Sequence, residues 1–223
     1  MTTADKIAYA ILKSIETGHL KEGQILPTER ELAKKYAVNR STIREALKML
    51  ETFRCVKKTS GIGTKIMPSN EWSFESLIFK YQFANRIEPS TAPDFVSFLI
   101  IVEQACANVA YNRKTQKDLA NLEKLYSDLL SSSDPSDQDR DIHMYIARLS
   151  NNSVYVRILN AIWIPIKKYS FIYHTSERRV YAQKFLKDIL VSFKYNRKKL
   201  FMAISIYYND ALSSLIKNLS ASD

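Results

Sequence analysis

The sequence predicts a mainly α-helical protein, with an N-terminal winged helix-turn-helix that carries a small β-hairpin wing and a C-terminal all-helical bundle of six or seven helices. Two observations predict it. From Leu26 the chain runs LPTERELAKKYAVNRSTIREALKML, two helical periods joined by a tight turn, followed by a lysine-bearing β-prone segment around Gly61-Ile62-Gly63. Beyond residue 70 the apolar residues repeat at helical spacing over long segments with little turn punctuation; the chain has only 4 glycines, two of them in the wing.

The first helix is marked by Ile7, Ile11 and Ile15, one turn apart, and Gly18 is placed to end it. In the second, Pro27 fixes a turn, Thr28 and Glu31 form a capping box, and Leu32, Ala33 and Tyr36 share one face over Glu29 to about Tyr36. Ala37-Val38-Asn39 makes the connection, and Asn39 or Ser41 can cap a third helix whose apolar stripe is Ile43, Ala46, Leu47 and Leu50. Its opposite face carries Asn39, Arg40, Ser41, Thr42 and Arg44 within the first turn and a half, the end of a recognition helix that enters the major groove. Arginine has the fork that matches guanine O6 and N7, and short hydroxyls at a helix N-terminus suit phosphate. Taken singly, each of these residues is equally a solvated side chain or a cap; together with a hairpin over residues 55–59 and 64–67 they read as a DNA-binding module.

The domain boundary is expected at the linker 68–71, between a DNA-binding domain over 1–67 and a helical effector-binding and dimerisation domain over 72–223. Within the latter, helices are expected at about 72–87, 92–112, 116–131, 136–149, 153–174, 177–194 and 197–218. Leu119, Leu122, Leu125 and Leu129 make one stripe, and Leu186, Ile189, Leu190 and Phe193 another. Pro165 must kink or end its helix.

Charge is split along the chain. Residues 1–67 carry 13 Lys and Arg against 7 Asp and Glu, so +6 of the net +10 lies in under a third of the length, as suits counterion release on phosphates. The longest apolar run, Phe95 to Ala110, is interrupted by Glu103 and Gln104, and the N-terminus has no secretory apolar region, so a cytoplasmic protein without membrane contact is expected. Cys55 and Cys106 lack metal spacing and are read as reduced thiols. A Gly-rich phosphate loop, a nucleophile elbow and a metal triad are all missing from the sequence, which speaks against an enzyme.

The first 67 residues resemble the GntR family of bacterial transcription regulators, through Gly18-His19-Leu20, Leu26-Pro27-Thr28-Glu29-Arg30-Glu31-Leu32-Ala33, Val38-Asn39-Arg40-Ser41-Thr42-Ile43-Arg44-Glu45-Ala46-Leu47 and Gly61-Ile62-Gly63-Thr64. The resemblance implies DNA contacts from Arg30, Arg40 and Arg44, with Ser41 and Thr42 on phosphates and Gly61, Gly63 and Thr64 at the wing tip. Asn39 and Lys58 complete the expected DNA-binding set. It also implies a homodimer on an inverted repeat of double-stranded DNA with GT and AC in its half-sites, and repression as the default action. Two departures are Arg54-Cys55, where the family often has glycine and an apolar residue, and Lys58 or Thr59, where it often has arginine.

The bundle is similar to the effector domain of the FadR subfamily, through Trp72, Glu103 and Asp139 with His143 ahead of Ser150-Asn151-Asn152. Metal-binding members add two histidines on the last two helices. Here Leu186 and Tyr207 or Tyr208 stand in those places, so Asp139 and His143 are the only ligands retained and no metal is expected. The expected pocket, Glu103, Asp139, His143, Trp163, Tyr207 and Tyr208, would recognise an unknown small-molecule effector by apolar and hydrogen-bonding contacts, as in members that bind acyl thioesters without metal. Tyr145, Tyr169 and Tyr173 are further aromatics on these helices. The alternative is a bundle without ligand that serves only dimerisation or partner recruitment.

Overall fold

The computed structural model describes residues 2–84, 92–166 and 176–220, with side chains at 2–83, 92–163 and 179–214. The chain divides into two compact units, residues 1–85 and 86–223.

The first unit opens with α1 (Thr3–Glu16), capped by a Thr2/Asp5 box and followed by Gly18 in the left-handed region. Its isoleucines Ile7, Ile11 and Ile15 are buried together with α2 (Glu29–Tyr36) residues Leu32 and Ala33. Helix α3 (Arg40–Thr52) adds Ile43, Ala46, Leu47 and Leu50, the stripe that the sequence predicts. Strands β1 (Val56–Thr59) and β2 (Gly63–Ile66) pair antiparallel with Val56 opposite Ile66 and Thr59 opposite Gly63. Ile25 adds a bridge to Lys65, which ties the wing to the chain entering α2.

Two helix ends carry strain. Ala37 closes α2 and Arg54 follows α3, both with positive φ (52° and 59°), where a Cβ is crowded and glycine is at ease. Val38 N–H donates to the carbonyl of Ala33 and Cys55 N–H to that of Leu50, the six-residue closure that makes a left-handed residue necessary. Arg54 therefore occupies a position that calls for glycine. Arg54→Gly is expected to stabilise the first unit by about 0.5–1 kcal/mol, the gain from relieved strain being partly offset by a freer unfolded chain, and chemical denaturation would measure it.

After a 3₁₀ turn at Ser69–Glu71, α4 (Phe74–Ala84) follows. It belongs to the first unit, where the sequence reading counted it with the second. Phe79 lies 5.2 Å from Phe53, Phe83 stacks on Tyr9 at 4.8 Å, and Lys80 pairs with Glu16 at 2.6 Å. These contacts span long sequence separations, and a helical period does not show which core it serves.

The second unit contains α5 (Ala92–Arg113), α6 (Gln116–Ser131), α7 (Ser136–Leu149), α8 (Ser153–Ile166), α9 (Ser176–Tyr195) and α10 (Arg197–Ser220). Helix α5 is central, packing on α7, α8, α9 and α10. By length and composition it could cross a membrane, yet it contributes Phe95, Leu99, Cys106, Ala107 and Ala110 to a helical core. A Thr115/Asp118 box starts α6, and Asn152 accepts from the backbone of Val154 and Tyr155 to start α8. Pro165 falls in the last turn of α8 among the described residues; the expected continuation to 174, with Tyr169 and Tyr173, lies outside them. Cys55 and Cys106 are free, and burial pushes both thiols up to about 12.

Candidate nucleic-acid interface and buried polar cluster

At the start of α3 the Asn39 side chain is the cap. Its Oδ1 accepts from Thr42 N–H at 2.8 Å, from the Thr42 hydroxyl at 2.8 Å and from the Ser41 hydroxyl at 2.7 Å. Both hydroxyl protons expected on phosphate are thus engaged within the turn, leaving the exposed end of α3 to its arginines. Arg40 and Arg44 are exposed, and each reaches Glu29 on α2: Arg44 Nε donates to Oε2 at 2.7 Å and an Arg40 terminal nitrogen stands 3.8 Å away. Lys58 Nζ, from the wing, meets the other oxygen at 2.9 Å. Hydrogen bonds from Arg44, then Lys58, pull the Glu29 carboxyl down to about 2. The expected cations Arg40, Arg44 and Lys58 therefore converge on one surface, whereas Arg30, on α2, is not paired with that carboxylate. The sequence reading missed Glu29, although its place in the first turn of α2 marked it as more than a solvated acid.

The wing is shaped by its glycines. Gly61 and Gly63 have φ of 76° and 114°, and a Cβ on Gly63 would meet Ile25 Cγ2 at 3.0 Å. Gly63 is thus required for packing the hairpin as well as for its turn. Gly63→Ala is expected to destabilise the first unit by roughly 1–3 kcal/mol, read as a lower denaturation midpoint, because it adds both strain and a clash.

In the second unit, Glu103 on α5, Asp139 and His143 on α7, Trp163 on α8 and Tyr207 and Tyr208 on α10 come together, each at most 5% exposed. His143 Nδ1 stands 2.7 and 2.9 Å from the two Glu103 oxygens, and its Nε2 faces Asp139 Oδ1 at 3.3 Å, too poorly aligned for a hydrogen bond. Tyr207 donates to Asp139 Oδ2. The imidazole ring packs 4.8 Å from Tyr207, 5.4 Å from Trp163 and 5.7 Å from Tyr208. Burial drives this imidazole toward neutrality, but the Glu103 and Asp139 carboxylates outweigh it and raise its pKa to about 10. Tyr208 is pushed well above 10, by burial first and the nearby Glu103 next, although its hydroxyl has no well-aligned partner among the described residues. Tyr145 is separate: its hydroxyl binds Asn121 and Asp118 near the surface.

These residues do not fit the metal that the resemblance brings to mind. Tyr207 donates to Asp139 Oδ2 and Leu186 is fully buried hydrocarbon, so neither place that carries a histidine in metal-binding members offers an imidazole, while Nδ1 of His143 faces Glu103. Glu103 and Asp139 flank the His143 imidazole, one at each ring nitrogen.

A winged helix-turn-helix with its cations gathered on one face, in the same chain as a helical unit with a buried polar cluster, defines the class of winged-helix regulatory proteins. Residues 3–66 match the family model of bacterial regulatory proteins, gntR family, and residues 94–188 match the FCD domain. The chain belongs to the GntR family, with the two-part organisation expected of the FadR subfamily. It is 28% identical over 170 residues to the Uxu operon regulator of Haemophilus influenzae, covering 72% of this chain and 59% of the relative. It is 26% identical over 169 residues to the galactonate operon transcriptional repressor of Escherichia coli, covering 74% and 73% respectively. In fold it is similar to Lar, which controls expression of the Listeria monocytogenes agr system, with a TM-score of 0.61 at 17% identity over 97% of this chain and 98% of that one.

Proposed function

We propose that this protein is a sequence-specific DNA-binding transcription regulator, acting in the cytoplasm as a homodimeric repressor on an inverted repeat. Residues 1–67 would read DNA, and the helices from Ala92 onward would dimerise and bind a small organic effector that modulates operator binding. The observation that carries it is the convergence of Arg40, Arg44 and Lys58 on one face of α3 and the wing. We assign Arg30, Asn39, Ser41, Thr42, Gly61, Gly63 and Thr64 to the same interface, the polar groups as phosphate contacts and the glycines letting the wing approach the backbone. Repression is supported by kinship with the galactonate operon repressor. Dimerisation is supported by the exposed apolar side chains Ile101 on α5 and Met202 and Ile206 on α10, two helices that pack together.

The effector pocket is placed at Glu103, Asp139, His143, Trp163, Tyr207 and Tyr208. Buried polar atoms without partners among the described residues, Trp163 Nε1 and Tyr208 Oη with Asp139 Oδ1, supply the donors and acceptor that a ligand would satisfy. The same packing favours a second reading, in which His143 and the three aromatic rings are a filled core and the bundle only joins two DNA-binding heads.

Selection of duplexes from a random pool tests the first part: the protein should enrich an inverted repeat, and failure to enrich any sequence would overturn it. Native mass spectrometry of the untagged protein tests the second part. A dimer carrying an organic mass that weakens binding to the enriched duplex supports the effector, whereas a bare dimer indifferent to candidate acids, acyl thioesters and aromatics supports the second reading.

A further inference from the structure

Glu29 holds Arg40, Arg44 and Lys58, residues from two different elements, around one carboxylate. Its side chain is 17% exposed beneath cations that are 60–61% exposed, so it is a base on which they rest rather than a fourth surface charge. We propose that Glu29 is a specificity-determining positioning residue, which presets the reading arginines and the wing lysine as one unit and restrains their attraction to DNA of any sequence; this rests on the DNA-reading function proposed above.

The geometry gives the two effects separate causes. Glu29 takes Nε of Arg44, which restrains the guanidinium while its hydrogen bond to the carboxylate leaves the end-on pair of terminal nitrogens, the pair that matches guanine O6 and N7, to other partners. Lys58 on the second oxygen fixes the wing lysine relative to α3. Non-specific affinity depends on how many cations neutralise phosphates, and an internal carboxylate competes with phosphate for these three. A correct site, which offers base contacts as well, can draw the arginines into pairing; a random site offers only phosphate. Glu29 also stands in the first turn of α2, where an acid is favoured by the helix dipole alone. A purely structural role of that kind would change stability without changing discrimination.

The test compares the wild-type chain with Glu29→Gln and, as a control of equal charge change, Glu71→Gln, whose side chain is exposed and outside this cluster. Each is titrated by fluorescence anisotropy against the duplex enriched by the wild type and a random-sequence duplex of equal length, over a range of salt concentrations. Glu29→Gln is expected to bind the random duplex about threefold to tenfold more tightly, with the slope of log affinity against log salt steeper by about one, and to lose roughly tenfold in preference for the enriched duplex. Glu71→Gln should move none of these by more than about twofold. If Glu29→Gln matches the control, or weakens both duplexes alike with an unchanged slope, the proposal is overturned. A wild-type chain that enriches no sequence removes the reading beneath it, and the random-duplex comparison then still decides whether Glu29 restrains the cations. Glu29→Asp, which keeps the charge but shortens the reach, should lose preference while retaining the wild-type fold by circular dichroism.

Discussion

Replacing Arg40 or Arg44 with alanine is expected to cost about 1–3 kcal/mol of operator binding per half-site and to relax base preference, while binding to random DNA falls far less. Both arginines are exposed in the first turn and a half of α3 and stand beside the Glu29 carboxylate, so under the proposed function their loss would remove base contacts that phosphate cannot replace. In a symmetric dimer the loss occurs twice. Lys57→Ala and Lys58→Ala should instead weaken all sequences more evenly and flatten the salt slope, because an ammonium on the wing reads charge and not base edges. Titration of enriched and random duplexes separates the two patterns; equal losses on both duplexes for the arginine variants would contradict their assignment.

The largest effect on stability is expected at His143. His143→Leu leaves Glu103 and Asp139, each at most 5% exposed, without the positive charge between them, and should destabilise the second unit by about 3–5 kcal/mol unless one carboxyl takes up a proton. The pH dependence has a definite sign. The folded-state pKa of about 10 lies above the ordinary 6.5, so the stabilisation is complete below about 6.5, declines as pH rises and is lost through about 10. The difference in unfolding free energy between wild type and variant should therefore shrink from pH 6.5 to 10. Trp163, 5.4 Å from the imidazole, reports this unit in a Trp72→Phe background, since the chain has 2 tryptophans and the other belongs to the first unit. A difference that is constant or grows with pH would show that the charged imidazole is not what holds the cluster.

Much of the first unit was legible in advance because its signals are local. The Thr28/Glu31 capping box fixed the start of α2, the stripe Ile43, Ala46, Leu47 and Leu50 fixed the buried face of α3, and paired β-prone runs about two glycines fixed the wing. The place of α4 was not legible: Phe79 and Phe83 have a helical period whichever core they enter, and only Phe53 and Tyr9 decide it. Asp139 and His143, four residues apart, were readable as neighbours on one helix face. That the imidazole turns its Nδ1 to Glu103, 40 residues away, was not.

The sequence by itself determined the fold class and the helices of the first unit, because capping, periodicity and turn chemistry act over a few residues. Only the tertiary structure decided that Glu29 gathers cations from α3 and the wing, that Gly63 makes room for Ile25, and that Glu103 and Asp139 share His143. The physical reason is the same in each case. Electrostatic pairing and close packing depend on distances between side chains far apart in the chain, and those distances exist only once the cores have formed.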